Sequence, residues 1–313
     1  MTQQQTEQTT AKGANPIRRT REIEEITNLY FIHPLAGRLV PLLARLRITP
    51  NVVSITGMLF GILAAFAYFR ARDGYGDLRF AITGFLLMIA WHVMDGADGQ
   101  LARFTHSFSY FGKVLDGISD NVTFLAVYTA LAIALGHVYG AWIYALVALS
   151  AVCHAIQSAS YEAQRQEYEY LGRGKKPQEP PPRNSPERSG DGPAVVRWLF
   201  DFLHRMFFNG LSFPTAGVTR KFRATMAAAL ERQPGRVDLI RERYRETLAP
   251  QLRQWSILSA NYRTLGIFIS VLFGVPEYYF GFEIIGFSAI LAVLIWRLNA
   301  SHAVLLSRLQ LDS

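Results

Sequence analysis

Long apolar segments constrain the fold of this chain more than any other feature of its sequence. Half of its 313 residues are hydrophobic. A helix needs about 20 mainly apolar residues to cross the ~30 Å hydrocarbon core of a bilayer. The sequence therefore predicts an all-α polytopic membrane protein with six transmembrane helices, at Asn51–Arg70, Phe80–Phe104, Phe111–Leu135, Val138–Tyr161, Leu258–Val275 and Tyr278–Leu298.

Basic residues are distributed unevenly around these segments. The first predicted span is preceded by Arg18, Arg19, Arg21, Arg38, Arg45 and Arg47. On the opposite side, the first loop carries Arg70, Arg72 and Arg79, and the loops near His137 and Glu277 carry no Lys or Arg. Positive residues remain on the cytoplasmic side. We therefore expect an integral protein of a bacterial-type cytoplasmic membrane, with both termini in the cytoplasm.

The polar segments divide the chain further. Residues 1–20 are polar and rich in Gln and Thr, without the apolar core of a signal peptide, which predicts a disordered tail. Residues 21–165 hold a juxtamembrane amphipathic helix over Arg21–Arg47 and the first four spans. Residues 166–254 are predicted to be a cytosolic insertion, and residues 255–313 hold the last two spans and a short C-terminal tail.

The predicted insertion begins with a segment rich in Pro, Gly and charge, which is typical of a flexible linker. Apolar residues then recur at helical spacing over Val195–Phe207, and a charged helix is predicted over Asp238–Gln254. The single cysteine, Cys153, excludes an intrachain disulfide and a multi-cysteine zinc site.

Four aspartates lie within two of the predicted spans. On helices, Asp95, Asp98, Gly99 and Ala102 form one stripe, and Gly112, Asp116 and Asp120 form another. A carboxylate at the centre of a bilayer costs ~2.5 kcal/mol or more. A bound divalent metal ion is the simplest compensation for that cost.

The two stripes are expected at similar depth. Asp95 lies 16 residues beyond Arg79, and Asp120 lies 16 residues before Gly136. Sixteen residues of helix are roughly 24 Å long, in a core about 30 Å thick. Both stripes should therefore lie near the cytoplasmic side of the membrane.

The residue types in the stripes indicate a phosphorylated ligand. Oxygen-only ligands favour Mg²⁺ or Mn²⁺ over zinc, and four carboxylates suit two ions. One carboxylate could take a proton from an incoming hydroxyl group. Gly99, Ala102 and Gly112 leave a hollow for a base and a ribose, and Arg103 can reach a phosphate or ribose oxygen.

The order of these residues, D-x-x-D-G-x-x-A-R-x8-G-x3-D-x3-D, resembles the signature of the CDP-alcohol phosphotransferase family at every position. The resemblance implies that Asp95, Asp98, Asp116 and Asp120 bind the metal ions and that Asp120 is also the general base. It implies that Gly99, Ala102, Arg103 and Gly112 hold the CDP moiety. It further implies a homodimer that transfers a phosphate group from a CDP-alcohol donor to an alcohol acceptor, with release of CMP.

The identity of the substrates stays open at this point. The donor could be CDP-diacylglycerol, attacked by glycerol phosphate, inositol phosphate or serine, in phospholipid synthesis. Alternatively, a CDP-linked head group could be transferred to a lipid hydroxyl. Arg165, at the cytoplasmic end of the fourth predicted span, is a candidate contact for the acceptor.

Two hypotheses from other classes remain. Intramembrane aspartates also occur in cation- or proton-coupled transporters, although these do not need Gly99, Ala102, Arg103 and Gly112 at their spacings. A membrane anchor with a degenerate motif is disfavoured because the motif is intact. We expect membrane lipids around the helices and no nucleic-acid partner.

Overall fold

A computed structural model describes residues 22–73, 77–107, 110–175, 198 and 211–311. These residues contain helices and no β-strand, which confirms the all-α prediction. The α-helices are α1 His33–Arg45, α2 Pro50–Asp73, α3 Leu78–Phe104, α4 Tyr110–Tyr139, α5 Trp142–Arg173, α6 Phe213–Arg232, α7 Val237–Trp255, α8 Ala260–Leu272, α9 Pro276–Phe282 and α10 Ser288–Leu311. A π-helical turn, Asn28–Ile32, precedes α1, and another, Glu283–Phe287, joins α9 to α10.

Within these residues, five helical segments are long and apolar enough to cross a membrane. They are Pro50–Ala71, Leu78–Phe104, Ile118–Tyr139, Trp142–Arg173 and Pro276–Arg308, the last of which runs through α9, the π-helical turn and α10. The protein is therefore an all-α polytopic membrane protein, as the apolar segments predict.

The predicted span at Leu258–Val275 differs from the other five. A 3₁₀ turn at Ser256–Leu258 is followed by extended backbone at Ser259, and only then does α8 begin. α8 has 13 residues, or about 20 Å of helix, and the left-handed Gly274 follows it closely. The part of the chain that the structure describes thus has five helices of spanning length, where the sequence predicts six.

The fourth predicted span is longer than expected. α5 continues to Arg173, twelve residues past the predicted end at Tyr161, and stops at Gly174, which adopts the left-handed conformation with φ 69°. The predicted domain boundary at residue 165 therefore lies inside a continuous helix.

The C-terminal end of α5 is covered by α6 and α7. Arg223 of α6 pairs with the buried Glu167, with Nε 2.9 Å from Oε2, and Gln164 donates to Thr219 Oγ1 at 2.9 Å. The charged helix predicted over Asp238–Gln254 is α7. The predicted tail lies outside the described residues, and so does the predicted linker from residue 176 onward. The helix expected over Val195–Phe207 also lies outside them, except for the exposed Trp198.

α1 lies against α3, next to the acidic stripe. Its buried residues Ala36 and Val40 pack with Ala97 and Leu101 of α3. Its other face exposes apolar side chains, at Leu42 for example, as expected for a helix at a membrane surface. α2 then begins at Pro50, one residue before the predicted span, with the proline at a position that suits the first turn of a helix.

Candidate active site

Two glycines of α2 allow both motif helices to approach it closely. A Cβ atom added at Gly61 would lie 2.3 Å from Thr123 Oγ1 of α4. A Cβ atom added at Gly57 would lie 3.1 Å from the Cβ of Met94 on α3. α2 therefore brings α3 and α4 together at two neighbouring turns.

α3 and α4 also contact each other directly. The rings of Trp91 on α3 and Phe124 on α4 meet edge to face, with centroids 5.6 Å apart. Asp95 comes four residues after Trp91, and Asp120 comes four residues before Phe124, so each aspartate lies one helical turn from this contact. Because α3 and α4 run in opposite directions from a short connection, both aspartates lie on the same side of the contact. Asp95 and Asp120 thus lie at similar depth.

The structure describes the side chains of three aspartates of the motif, and these differ in exposure. Asp98 is buried, Asp95 is partly buried and Asp120 is exposed. Ser54 Oγ of α2 donates a hydrogen bond to Asp98 Oδ2 at 2.5 Å. The exposed Asp120 is therefore the most accessible to a substrate hydroxyl, whereas Asp98 is held in place by α2.

Arg103 lies over Gly99, one turn earlier on α3. A Cβ atom added at Gly99 would lie 3.5 Å from the Nη1 atom of Arg103. A side chain at Gly99 would thus be in van der Waals contact with the guanidinium group. Ala102 and Gly112, the other residues predicted to hold the CDP moiety, are partly buried near the two ends of the connection between α3 and α4.

The donor chemistry of the motif fits a divalent ion, because carboxylate oxygens are the ligands that Mg²⁺ and Mn²⁺ prefer. Among the side chains that the structure describes, no three His, Cys, Asp or Glu residues are grouped so that they could hold a metal ion. The backbone of Asp116 is part of α4, and its side chain lies outside the described residues. The structure therefore brings the acidic helices together without showing a complete set of ligands.

Arg165 is paired with a glutamate on its own helix. Its Nη2 atom lies 2.6 Å from Glu162 Oε1, and its Nε atom lies 2.7 Å from Oε2. It borders a cavity of about 40 Å³, which is also lined by Ile23, Glu24, Glu25, Asn28, His33, Tyr161 and Glu169.

Two partners of the motif helices are absent from the sequence-based predictions. Ser54 binds Asp98 from a position 44 residues away, and Thr264 Oγ1 lies 3.0 Å from Nε2 of the buried His92. A serine near the start of an apolar helix is the only local sequence signal for the first contact, and it is a weak one. No local sequence signal indicates the second.

Comparison with known proteins agrees with the motif. Residues 47–176 match the family model of CDP-alcohol phosphatidyltransferases. The chain is also 32% identical, over 91 residues, to the archaetidylinositol phosphate synthase of Pyrococcus horikoshii. That alignment covers 29% of this chain and 44% of the relative, so the similarity spans less than half of the relative's length. No solved structure matches the chain.

The matched segment runs from just before α2 to the end of α5 and includes every position of the motif between Asp95 and Asp120. The family consists of transferases of phosphate-containing groups and generally depends on divalent metal ions. Residues 47–176, which are less than half of the chain, are therefore similar to the CDP-alcohol phosphatidyltransferase family.

Proposed function

We propose that the protein is an integral-membrane CDP-alcohol phosphotransferase of phospholipid synthesis. The observation that carries this proposal is the complete motif within the matched segment, with Asp95 and Asp120 one turn from the contact of Trp91 and Phe124. This arrangement suits a reaction at a phosphate group held between α3 and α4.

In the proposed reaction, the hydroxyl oxygen of the acceptor forms a bond to the β-phosphorus of the CDP-alcohol. The bond from that phosphorus to the bridging oxygen breaks, and CMP leaves with the electron pair. Asp120 takes the proton of the hydroxyl group, a role that its exposure supports. The products are a phosphodiester and CMP.

The carboxylates of Asp95, Asp98, Asp116 and Asp120 would hold two ions of Mg²⁺ or Mn²⁺. Bound there, the ions would screen the charge of the pyrophosphate and polarise its β-phosphorus. The hydrogen bond from Ser54 orients Asp98 for this role.

The CDP moiety would lie along the small residues Gly99, Ala102 and Gly112. The position of Arg103 over Gly99 supports this assignment, because a guanidinium group binds phosphate oxygens with two parallel hydrogen bonds. A side chain at Gly99 would occupy the same space as the ligand.

We assign the CDP to the lipid, as CDP-diacylglycerol, with a water-soluble alcohol as acceptor. The relative from Pyrococcus horikoshii is a synthase of archaetidylinositol phosphate, whose name denotes a lipid joined to a phosphorylated inositol. Transfer of a CDP-linked head group to a lipid hydroxyl is the alternative. Arg165 is the proposed contact for the acceptor, and a phosphorylated acceptor would compete with Glu162 for its guanidinium group.

The proposal includes an orientation and an assembly. The acidic motif and both termini face the cytoplasm of a bacterial-type cell, as the distribution of arginines predicts. The active form is a homodimer, as the family resemblance implies.

The test is CMP release by the purified protein in detergent with Mg²⁺ or Mn²⁺. CDP-diacylglycerol and CDP-linked head groups are each offered with a panel of alcohols, and Asp120→Asn serves as the control. CMP release that needs one donor and one acceptor identifies both substrates. No release with any pair, together with ion or solute flux in liposomes, would replace the proposal with the transporter hypothesis.

A further inference from the structure

A buried ion pair lies among the membrane helices, outside the acidic motif. Arg263 of α8 pairs with Glu283 in the π-helical turn between α9 and α10, and both side chains are 0% exposed. The carboxylate of Glu283 also accepts hydrogen bonds from hydroxyl groups on three helices. The donors are Tyr128 of α4 at 2.6 Å, Tyr279 of α9 at 3.0 Å and Ser150 of α5.

Gln157 of α5 extends this cluster to the backbone. Its Oε1 atom accepts a hydrogen bond from Arg263 at 2.9 Å. Its Nε2 atom donates to the carbonyl oxygen of Glu283 at 3.1 Å and to Ser288 Oγ at 3.0 Å. The side chain of Gln157 therefore fixes the π-helical turn against α5. We call the set Tyr128, Ser150, Gln157, Arg263, Tyr279 and Glu283 the polar cluster.

The energetics of the polar cluster argue against a role in stability alone. A charged side chain at the centre of a bilayer costs ~2.5–3.5 kcal/mol on insertion scales. A buried ion pair often contributes no more stability than apolar residues of the same volume. What the polar cluster adds is a fixed arrangement of helices, because the hydrogen bonds made by Tyr128, Ser150 and Gln157 join separate helices.

The polar cluster is connected to α4 on the same face as the motif. Tyr128 lies eight residues, or about 12 Å, beyond Asp120. Phe124 lies between them, with its ring centroid 6.2 Å from that of Tyr128. The hydrogen bond from Tyr128 to Glu283 therefore sets the depth and rotation of the helix that carries Asp120.

The polar cluster is connected to α3 through the residue that follows Arg263. Thr264 Oγ1 lies 3.0 Å from Nε2 of His92, and both residues are buried. His92 comes three residues before Asp95. Neighbouring residues of α8 thus hold α4, through Glu283, and α3, through His92.

We propose that Arg263 and Glu283 are positioning residues that fix α3 and α4 relative to each other, so that the acidic residues of the two helices act on one substrate. This inference rests on the proposed function. A displacement of 1 Å between reacting groups can cost about 10²-fold in rate. The hydrogen bond from Tyr128 to Glu283, two turns beyond Asp120, can therefore affect turnover although neither residue touches the substrate.

The test replaces the ion pair with apolar residues, Arg263→Met with Glu283→Leu, so that no unpaired charge stays buried. The matched control is Glu167→Leu with Arg223→Met, which removes another ion pair between two helices, at the C-terminal end of α5. Both variants are compared with the unmodified protein at equal amounts of folded, monodisperse material.

The first measurement is the distance between α3 and α4. Spin labels are attached to cysteines introduced at the exposed positions Leu86 and Leu125, in a Cys153→Ser background, and pulsed EPR gives their distance distribution. We expect the apolar pair at 263 and 283 to shift or broaden this distribution, and the control pair to leave it unchanged.

The second measurement is CMP release. We expect kcat to fall about tenfold or more for Arg263→Met with Glu283→Leu, with a smaller change in the KM of the CDP donor. The control pair keeps the kcat of the unmodified protein. Thr264→Val, which removes only the hydroxyl that contacts His92, should lower kcat in the same direction by a smaller factor.

An unchanged distance distribution and an unchanged kcat in the folded variants would overturn the inference, and so would a changed distance with full kcat. If the variant with Arg263→Met and Glu283→Leu fails to fold, the same two measurements are made on Thr264→Val and decide the outcome. If the unmodified protein releases no CMP from any donor, the proposed function fails. The distance measurement then decides the positioning role by itself.

Discussion

The membrane part of this protein contains two groups of charged residues, which differ in their burial and in how fully the protein binds their carboxylates. In the polar cluster, the carboxylate of Glu283 is 0% exposed and is bound by Arg263 and by three hydroxyl groups. In the acidic motif, exposure increases from the buried Asp98 to the exposed Asp120. A carboxylate that the protein itself saturates can hold a position, whereas one that stays accessible can receive a ligand.

The largest expected effect is a loss of activity on substitution in the acidic motif. Asp120→Asn should lower CMP release by about 10²–10⁴-fold, because it removes the proposed general base. Thermal unfolding in detergent should stay close to that of the unmodified protein, since Asp120 is exposed. The control is Asp238→Asn on the exposed surface of α7. Normal activity of Asp120→Asn would refute the assigned role.

In the polar cluster, the effect expected from a single substitution is a loss of stability. Arg263→Met alone leaves Glu283 buried without its cation, which should lower the free energy of unfolding by about 3–5 kcal/mol. The double substitution with Glu283→Leu should recover most of that loss. Thermal unfolding of both variants measures the difference. Equal stability of the single and double variants would mean that the buried charge is not what costs the energy.

A smaller effect is expected where the protein supports the acidic motif. Ser54→Ala removes the hydroxyl group that donates to the buried Asp98. A hydrogen bond to a charged group contributes about 1.5–3 kcal/mol, so we expect a reduction of roughly tenfold or more in activity at limiting Mg²⁺. The dependence of CMP release on Mg²⁺ concentration measures this reduction. Ser150→Ala, which lies in the polar cluster, is the comparison variant. A titration curve for Ser54→Ala that matches the unmodified protein would contradict this role of Ser54.

The smallest effect concerns a buried carboxyl group outside the membrane helices. Burial raises the pKa of Glu25 above 4.5, although hydrogen bonds from Thr27, Ser259 and Asn261 and the nearby His33 oppose the shift. Because the folded protein binds this proton more tightly than the unfolded chain, stability should decrease as the pH rises from 4.5 through the raised pKa. Glu25→Gln should remove that part of the decrease.

The measurement for Glu25 is the unfolding temperature as a function of pH. Glu246→Gln, on the exposed surface of α7, corrects for the loss of a surface carboxylate. If Glu25→Gln and Glu246→Gln follow the same pH curve, the carboxyl group of Glu25 does not contribute to the pH dependence.

The placement of the acidic residues along their helices follows from local sequence information. Asp95, Asp98 and Gly99 share one face of α3 through helical periodicity alone, and the equal distances of Asp95 and Asp120 from their helix ends place them at similar depth. The charged helix α7 follows from an equally local pattern, and the start of α2 lies within one residue of the predicted span.

The polar cluster could not be predicted in the same way. Arg263 and Glu283 lie within predicted apolar spans, and partners of both come from α4 and α5, more than 100 residues earlier in the chain. Periodicity does not indicate which helices meet. The length of α8 depends on the extended Ser259 and the left-handed Gly274, which a hydropathy average does not detect.

The continuity of α5 has a practical consequence for imaging. Its 32 residues form a rod about 48 Å long, which extends well beyond a bilayer core of ~30 Å. α6 is attached to the end of this rod by its contacts with Glu167 and Gln164, and α7 is attached by Arg245, which donates a hydrogen bond to the carbonyl oxygen of Gly172. An antibody fragment raised against the exposed surfaces of α6 and α7 would therefore be held rigidly outside the detergent micelle, where it can serve as a marker for particle alignment in electron cryomicroscopy.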